Sequence, residues 1–455
     1  MAEETATSNK KLKGDGTIWA VFIILCLISI VEVFSASSNL TYKTSNYWGP
    51  VIKHTLLLGV GVVFMVATMN IKCKYFKIVT PFALLGSFLA LIVCFFIGAV
   101  NDGHRWIPIP GTGLQFQPSE IAKGAVVMAT AQILSAMQTP NGVDKDAFRF
   151  IFWICCVFLT LIGLENLSTA MLLGIVVVLM MWIGKVPKRQ LGKLFGGVAV
   201  LVVLAISAIM VFGTDKNDTE AVNPKMSMVD SSLKKDAVQK RESKGIFHRL
   251  DTWKSRIDKF LTHKQVPPEE FDLNNEAQVG YSNIAIASSN MVGKGPGNST
   301  ARDYLPQAFS DFIYAIIVEE TGVVGAFIVC LLYIIILFRT AAIANRCVNT
   351  FPALLIIGFS LLLVTQALFN MMVAVGLAPV TGQPLPLISK GGTSSIVNCV
   401  YIGVILSVSY SAKKKDNTND ENAQPAKKKV TVVDALKKVN EVNDAKPATA
   451  TVAAS

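Results

Sequence analysis

The acid Asp311 lies within YLPQAFSDFIYAIIVEETG (304–322), where a polar stretch of nearly a hundred residues gives way to an apolar run. A carboxylate one turn below a water–lipid interface loses solvation, and a chain tolerates that most readily when the group meets a substrate, an ion or a cationic partner. The alternative is a helix-start acid facing the positive end of the dipole. Arg105, Lys123, Lys294, Arg302 and Lys390 are the cations expected on the same side. Glu120 and Lys123 are three apart and share one helical face. They form either a local ion pair or, through Lys123 and Arg105, a cationic edge toward an anionic ligand. Gly293, Gly295 and Gly297 would let backbone approach a phosphate closely, although three spaced glycines alone also describe a turn. Glu319 and Glu320 lie roughly 12 to 14 Å farther along a helix. That is too deep to share a proton transfer with Asp311, so they read as packing or cavity polar groups.

The elements that must position these residues are membrane helices. With 52% hydrophobic and 16% charged residues over 455 positions, the composition excludes an ordinary soluble protein and fits an all-α polytopic membrane protein. Spans of bilayer length fall at 17–36, 51–69, 78–99, 119–137, 148–164, 167–184, 194–213, 313–338, 352–378 and 395–411. Ten spans put both termini on one side. Alternate short connections and termini carry 17 and 4 basic residues, which places the termini in the cytoplasm. The extracytoplasmic stretch 214–310 holds 14 basic and 13 acidic residues, so the formal charge of +11 is a topology signal and no nucleic-acid partner is expected. None of the eight cysteines falls in that stretch, and no disulfide is implied. The basic start followed by an apolar run resembles a signal peptide, but the run is long for one and fits an uncleaved first helix.

The expected organisation is a cytoplasmic segment 1–16, spans one to seven over 17–213, the loop 214–310, spans eight to ten over 311–411, and a disordered cytoplasmic tail 412–455. Three segments depart from ordinary loops. In 101–123, Pro108, Pro110, Gly111 and Gly113 forbid a regular helix, and Pro118 suits the first turn of the fourth span. In 246–261, Leu250, Trp253, Ile257 and Phe260 recur at helical spacing between basic residues, predicting a helix on the outer leaflet or on the protein's own surface. In 379–395, three prolines and three glycines predict a re-entrant, cavity-lining loop, since irregular backbone survives at membrane depth only when buried or facing a wet cavity. A plain surface turn is the alternative.

FQPSEIAK (116–123), QVGYSNIAIASSNMVGKGPG (278–297), YLPQAFSDFIYAIIVEETG (304–322) and GLAPVTGQPLPLISKGGTSS (376–395) together resemble the SEDS family of cell-wall polymerases. The resemblance runs from about residue 15 to 411, and the start GDGTIWAVFIILCLISIVEVFSASS is more similar to the cell-division branch than to the elongation branch. Three departures stand out. Lys390 replaces an aromatic before the paired glycines, Ser289-Asn290 replace a Gly-Gly, and Glu165-Asn166-Leu167-Ser168-Thr169 replace a Pro-Asp-x-Gly-Thr element. The resemblance assigns no catalytic duty to Asn166.

The resemblance implies polymerisation of lipid II, in which a GlcNAc 4-hydroxyl attacks C1 of the growing chain's MurNAc and expels undecaprenyl pyrophosphate. Such a reaction needs a base for the hydroxyl and cations for the leaving group, unlike the paired carboxylates of glycoside hydrolysis. Asp311 matches the family's essential acid and is expected to be the general base. Arg105, Lys123, Lys294, Arg302 and Lys390 are expected to hold pyrophosphate or the sugar-peptide, Glu120 to orient Lys123, and Gln117 to bind sugar. A divalent cation could assist the leaving group, but no acidic cluster marks its site. The expected partners are lipid II, undecaprenyl-pyrophosphate-linked glycan, membrane lipid, a class B penicillin-binding protein and other divisome proteins. A precursor flippase or a non-catalytic divisome scaffold would share ten spans and broken loops. Polar groups clustered at the outer surface rather than the midplane favour the enzyme.

Overall fold

The computed structural model describes residues 13–37, 48–96, 107–109, 114–140, 142–197, 200, 273–305 and 308–428. Its helices are α1 (Gly16–Ala36), α2 (Gly49–Met69), α3 (Cys73–Phe96), α4 (Pro118–Ala136), α5 (Lys145–Glu165), α6 (Leu167–Ile183), α7 (Leu273–Ala287), α8 (Ile313–Ala344), α9 (Thr350–Ala374) and α10 (Thr393–Lys428), with a further helical run at 188–197. Among the described residues seven helices are long and apolar enough to cross a membrane, and the apolar α6 has 17 residues. The fourth expected span, α4, is formed but is not one of the seven. It is walled in by protein, with Ser119, Glu120 and Lys123 buried, so its sequence need not match the apolarity of lipid. The seventh expected span lies mostly outside the described residues, as do Arg105 and the expected helix at 246–261.

α9 and the Thr393–Ala412 part of α10 form the centre, about two-thirds or more buried, whereas α3 lies at the periphery. α10 packs along α2, α8 and α4 pack on α9, and α3 packs on α4. The proline- and glycine-rich segment before α4 is an antiparallel hairpin of β1 (Ile107–Ile109) and β2 (Leu114–Phe116). Helix starts follow local chemistry. Asp15 accepts from Thr17 N and Ile18 N, Asp144 from Asp146 N, and Asn166 from Ser168 N and Thr169 N at 3.1 and 3.3 Å. An amide caps α6 fully, which is a structural reason for Asn166. α10 extends past the expected end of the tenth span, to Lys428.

Asp15 also receives Arg339 at 2.7 to 3.1 Å, tying the cap of α1 to the far end of α8. Burial pushes this carboxyl up, but Arg339 and the two helix N–H groups outweigh burial and hold it below the ordinary value of 3.8. A depressed carboxyl stabilises the fold above its unfolded pKa, and that contribution is lost as pH falls through the folded pKa. Asp15→Asn is therefore expected to lower the thermal midpoint at neutral pH, with the difference from wild type beginning to shrink as scans go below pH 3.8 and disappearing only once the pH has passed the lowered folded pKa.

α8 is not the single uninterrupted span its sequence predicts. Gly322 breaks it, with φ 72° and ψ −174°, a conformation essentially confined to glycine. Segment 290–295 fills the break: Lys294 N and Gly295 N donate to Glu319 O and Glu320 O at 3.0 and 2.8 Å, and Val323 N and Val324 N donate back to Asn290 O and Met291 O. Backbone groups released inside a membrane helix must be satisfied by protein. The approach is so close that a Cβ on Gly322 would lie 2.4 Å from Met291 O, and one on Gly293 would lie 2.4 Å from Glu320 O. Gly322→Ala is expected to cost at least about 2 kcal/mol, read as a lower thermal midpoint in detergent.

Candidate active site

Asp311 occupies the turn leading into α8 and is half-buried. Ser310 Oγ donates to Asp311 Oδ1 at 2.8 Å, and Asn370 Nδ2, from α9, donates to Asp311 O at 2.7 Å. The non-helical segment 375–392, joining α9 to α10, packs against the same turn. Ser389 Oγ donates to Ser310 O at 2.6 Å and Lys390 N to Phe309 O at 2.9 Å, while Lys390 Nζ lies 4.8 Å over the Phe309 ring. Gly382, at φ 66°, comes so near that an added Cβ would sit 3.4 Å from Asp311 Oδ2.

From Thr381 to Ser389 this segment is largely buried, and several neighbouring helices anchor it. Gln383 Nε2 donates to Thr169 Oγ1 at 2.6 Å, and Asn370 Nδ2 donates to Gln383 O at 2.7 Å. Gln366 Nε2 donates to Pro384 O at 3.0 Å, and Tyr333 donates its hydroxyl to Pro386 O. Ser29 Oγ donates to Ile388 O at 2.7 Å, so the buried His54, 2.8 Å from that hydroxyl, must donate Nε2–H to it. Burial, and then the facing charge of Lys53, pull the Lys390 ammonium below its ordinary value of 10.5.

Lys123 is wholly buried. Its Nζ lies 2.9 Å from Glu120 Oε1 and donates to Gln366 Oε1 at 2.8 Å. Of the two arrangements open to these residues, the structure realises the local ion pair, and through Gln366 that pair braces Pro384. Gln117 is buried at the N-cap of α4, where its side chain does not cap the helix.

Lys294 and Arg302 belong to a different cluster. Lys294 Nζ meets Glu319 Oε1 at 2.6 Å as well as the hydroxyls of Ser288 and Thr300, and Arg302 Nη1 donates to Ser35 Oγ at 3.0 Å. Glu319 also accepts from Ser299 Oγ, Thr300 N and Ala301 N, and Glu320 accepts from Ser35 Oγ, Gly297 N and Ser299 N. The two acids are a clasp for segment 294–302. The amides of residues 294, 295 and 297 are taken by this clasp, so the spaced glycines build a turn against α8 and not a phosphate cradle. α7 is docked on α9 through Ser282 Oγ, which donates to Ala374 O at 2.8 Å.

The structure thus brings Asp311, Lys390, Lys123 and Glu120 into one network joined by Asn370, Gln366 and Gln383. Sequence reasoning missed those three amides. Gln366 and Asn370 stand four apart inside an otherwise apolar span, the spacing of one helix face, and that was the available signal.

The sequence profile of the FtsW/RodA/SpoVE family, described as cell cycle proteins, matches residues 15–234 and 240–414. The chain belongs to this family. A peptidoglycan glycosyltransferase MrdB of Escherichia coli is 26% identical over 402 residues, covering 88% of this chain and 94% of the relative. A probable peptidoglycan glycosyltransferase FtsW of Geobacter metallireducens is 27% identical over 406 residues, covering 88% and 95%. The fold is shared with RodA of Thermus thermophilus, at TM-score 0.55 and 20% identity over 88% of this chain and 97% of that one. It is shared also with a chain from a solved peptidoglycan synthase complex described as coordinating polymerization and crosslinking, at TM-score 0.64 and 20% identity over 88% and 99%. As a member of the family, this chain is a polytopic membrane protein with its polar network gathered around the turn that enters α8.

Proposed function

We propose that this protein is a peptidoglycan glycosyltransferase that polymerises lipid II, with Asp311 as general base. The reading is supported above all by a half-buried carboxylate held in place by α9 and by the loop 375–392, in a chain whose relatives carry that activity in their names. Asp311 takes the proton from the acceptor's GlcNAc 4-hydroxyl as that oxygen attacks C1 of the donor's MurNAc. The C1–O bond breaks, and undecaprenyl pyrophosphate departs with the bonding pair, needing no proton but favouring cations. Lys390 touches the turn that carries Asp311, its ammonium over the Phe309 ring and its backbone N–H on Phe309 O. Lys123 and Glu120 stiffen the wall behind loop 375–392.

The protein works in the bacterial cytoplasmic membrane with both termini inside, at the division septum, beside a class B penicillin-binding protein that supplies crosslinking and among other divisome proteins. Purified protein in liposomes with lipid II, with and without that partner, is the test. Glycan strands from wild type and none from Asp311→Ala support the proposal. Strands of unchanged yield from the variant reject the base, and lipid translocation without strands from either form favours a flippase.

A further inference from the structure

Asn370 reaches the catalytic turn from α9 in a way that fixes both ends of its amide. Its Nδ2 donates to Asp311 O and to Gln383 O, each at 2.7 Å. Carbonyl oxygens only accept, so these two bonds use both hydrogens of the NH2 group and leave no freedom to exchange it with Oδ1. Asn370 is 1% exposed, and its Oδ1 has no hydrogen-bond partner among the described residues. The hydroxyl of Thr381, 7% exposed, is in the same condition. Thr381 immediately precedes Gly382, the residue whose added Cβ would touch Asp311 Oδ2. Buried polar side-chain atoms without partners are rare in folded proteins, and these two belong to residues that adjoin Asp311 in space, Asn370 through the backbone carbonyl of Asp311 and Thr381 through the glycine that faces its carboxylate.

We infer that Asn370 Oδ1 and Thr381 Oγ1 receive the ring hydroxyls of the acceptor sugar that neighbour its attacking oxygen. The inference rests on the glycosyltransferase reading. An acceptor attacking through O4 carries its nearest other hydroxyls on C3 and C6. With O4 directed at Asp311, one of these donates to Asn370 Oδ1, an atom that cannot itself donate, and the Thr381 hydroxyl serves as donor or acceptor to the other. Asn370 thereby aligns both partners of the proton transfer, holding the backbone of the base with its nitrogen and the acceptor with its oxygen. A site with buried polar groups made for hydroxyls rejects an analogue lacking one, because those groups are then left unpaired.

The test is a competition in liposomes between lipid II and lipid II deoxygenated at C3 or C6 of its GlcNAc, with incorporation into strands counted by mass spectrometry. Wild type is expected to favour the natural acceptor by roughly tenfold or more over at least one analogue. In Asn370→Ala that preference falls toward unity, beyond any general loss of rate from releasing Asp311 O. Thr381→Val, which removes a hydroxyl at nearly constant shape, relaxes the preference for the other position and keeps the test valid if Asn370→Ala fails to fold. A preference of wild-type size in both variants, with or without slower strand formation, overturns the inference, and so does wild type incorporating both analogues as readily as lipid II. Absence of strands from wild type would instead strike the parent reading.

Discussion

Asp311→Asn is expected to slow strand formation from lipid II by roughly 10²- to 10⁴-fold, the contribution of a positioned general base. The size of the loss follows from how little else changes. Asn370 holds the backbone carbonyl of residue 311, and Ser389 holds that of Ser310, so neither contact depends on the carboxylate. The substitution keeps the side chain's volume and an oxygen for Ser310, yet removes the basic site. Thermal midpoint and lipid II binding should therefore match wild type while the initial rate collapses. A variant that retains more than about a tenth of the wild-type rate would assign the base elsewhere.

Lys123→Met carries the second large effect, and its first readout is stability. Lys123 and Glu120 are 0% and 2% exposed and share a 2.9 Å ion pair. Removing one partner of a buried pair leaves an uncompensated charge, at about 3 to 5 kcal/mol. Here Gln366 Oε1 also loses its donor, and Gln366 is what reaches Pro384 in the loop beside Asp311. The thermal midpoint in detergent should fall sharply, and strand formation should fall with it. Glu120→Leu combined with Lys123→Met should recover much of the midpoint, because no charge is then stranded, but not the rate, because Gln366 stays without its lysine. A single variant as stable as wild type would show that the pair does not brace α4 against α9.

The spans were legible because bilayer thickness sets their length, and α1, α2 and α9 begin or end within a few residues of their expected bounds. Asp311 was legible because polarity changes abruptly there. The break at Gly322 was not, since a lone glycine in an apolar run is compatible with a continuous helix. It became necessary only once segment 290–295 was laid across α8. Likewise Glu319 read as a packing group because Lys294, its partner at 2.6 Å, lies 25 residues earlier in the chain.

Apolar run lengths, the asymmetry of basic residues and the position of one acid are properties of consecutive residues, so order along the chain was enough to establish a helical membrane protein and to single out Asp311. The pairing of buried charges is set by distance in space, which falls off without regard to chain separation. Folding alone therefore joined Lys123 to Gln366, committed Lys294 to Glu319, and left Lys390 beside the Asp311 turn, giving different partners to cations that the sequence had grouped together.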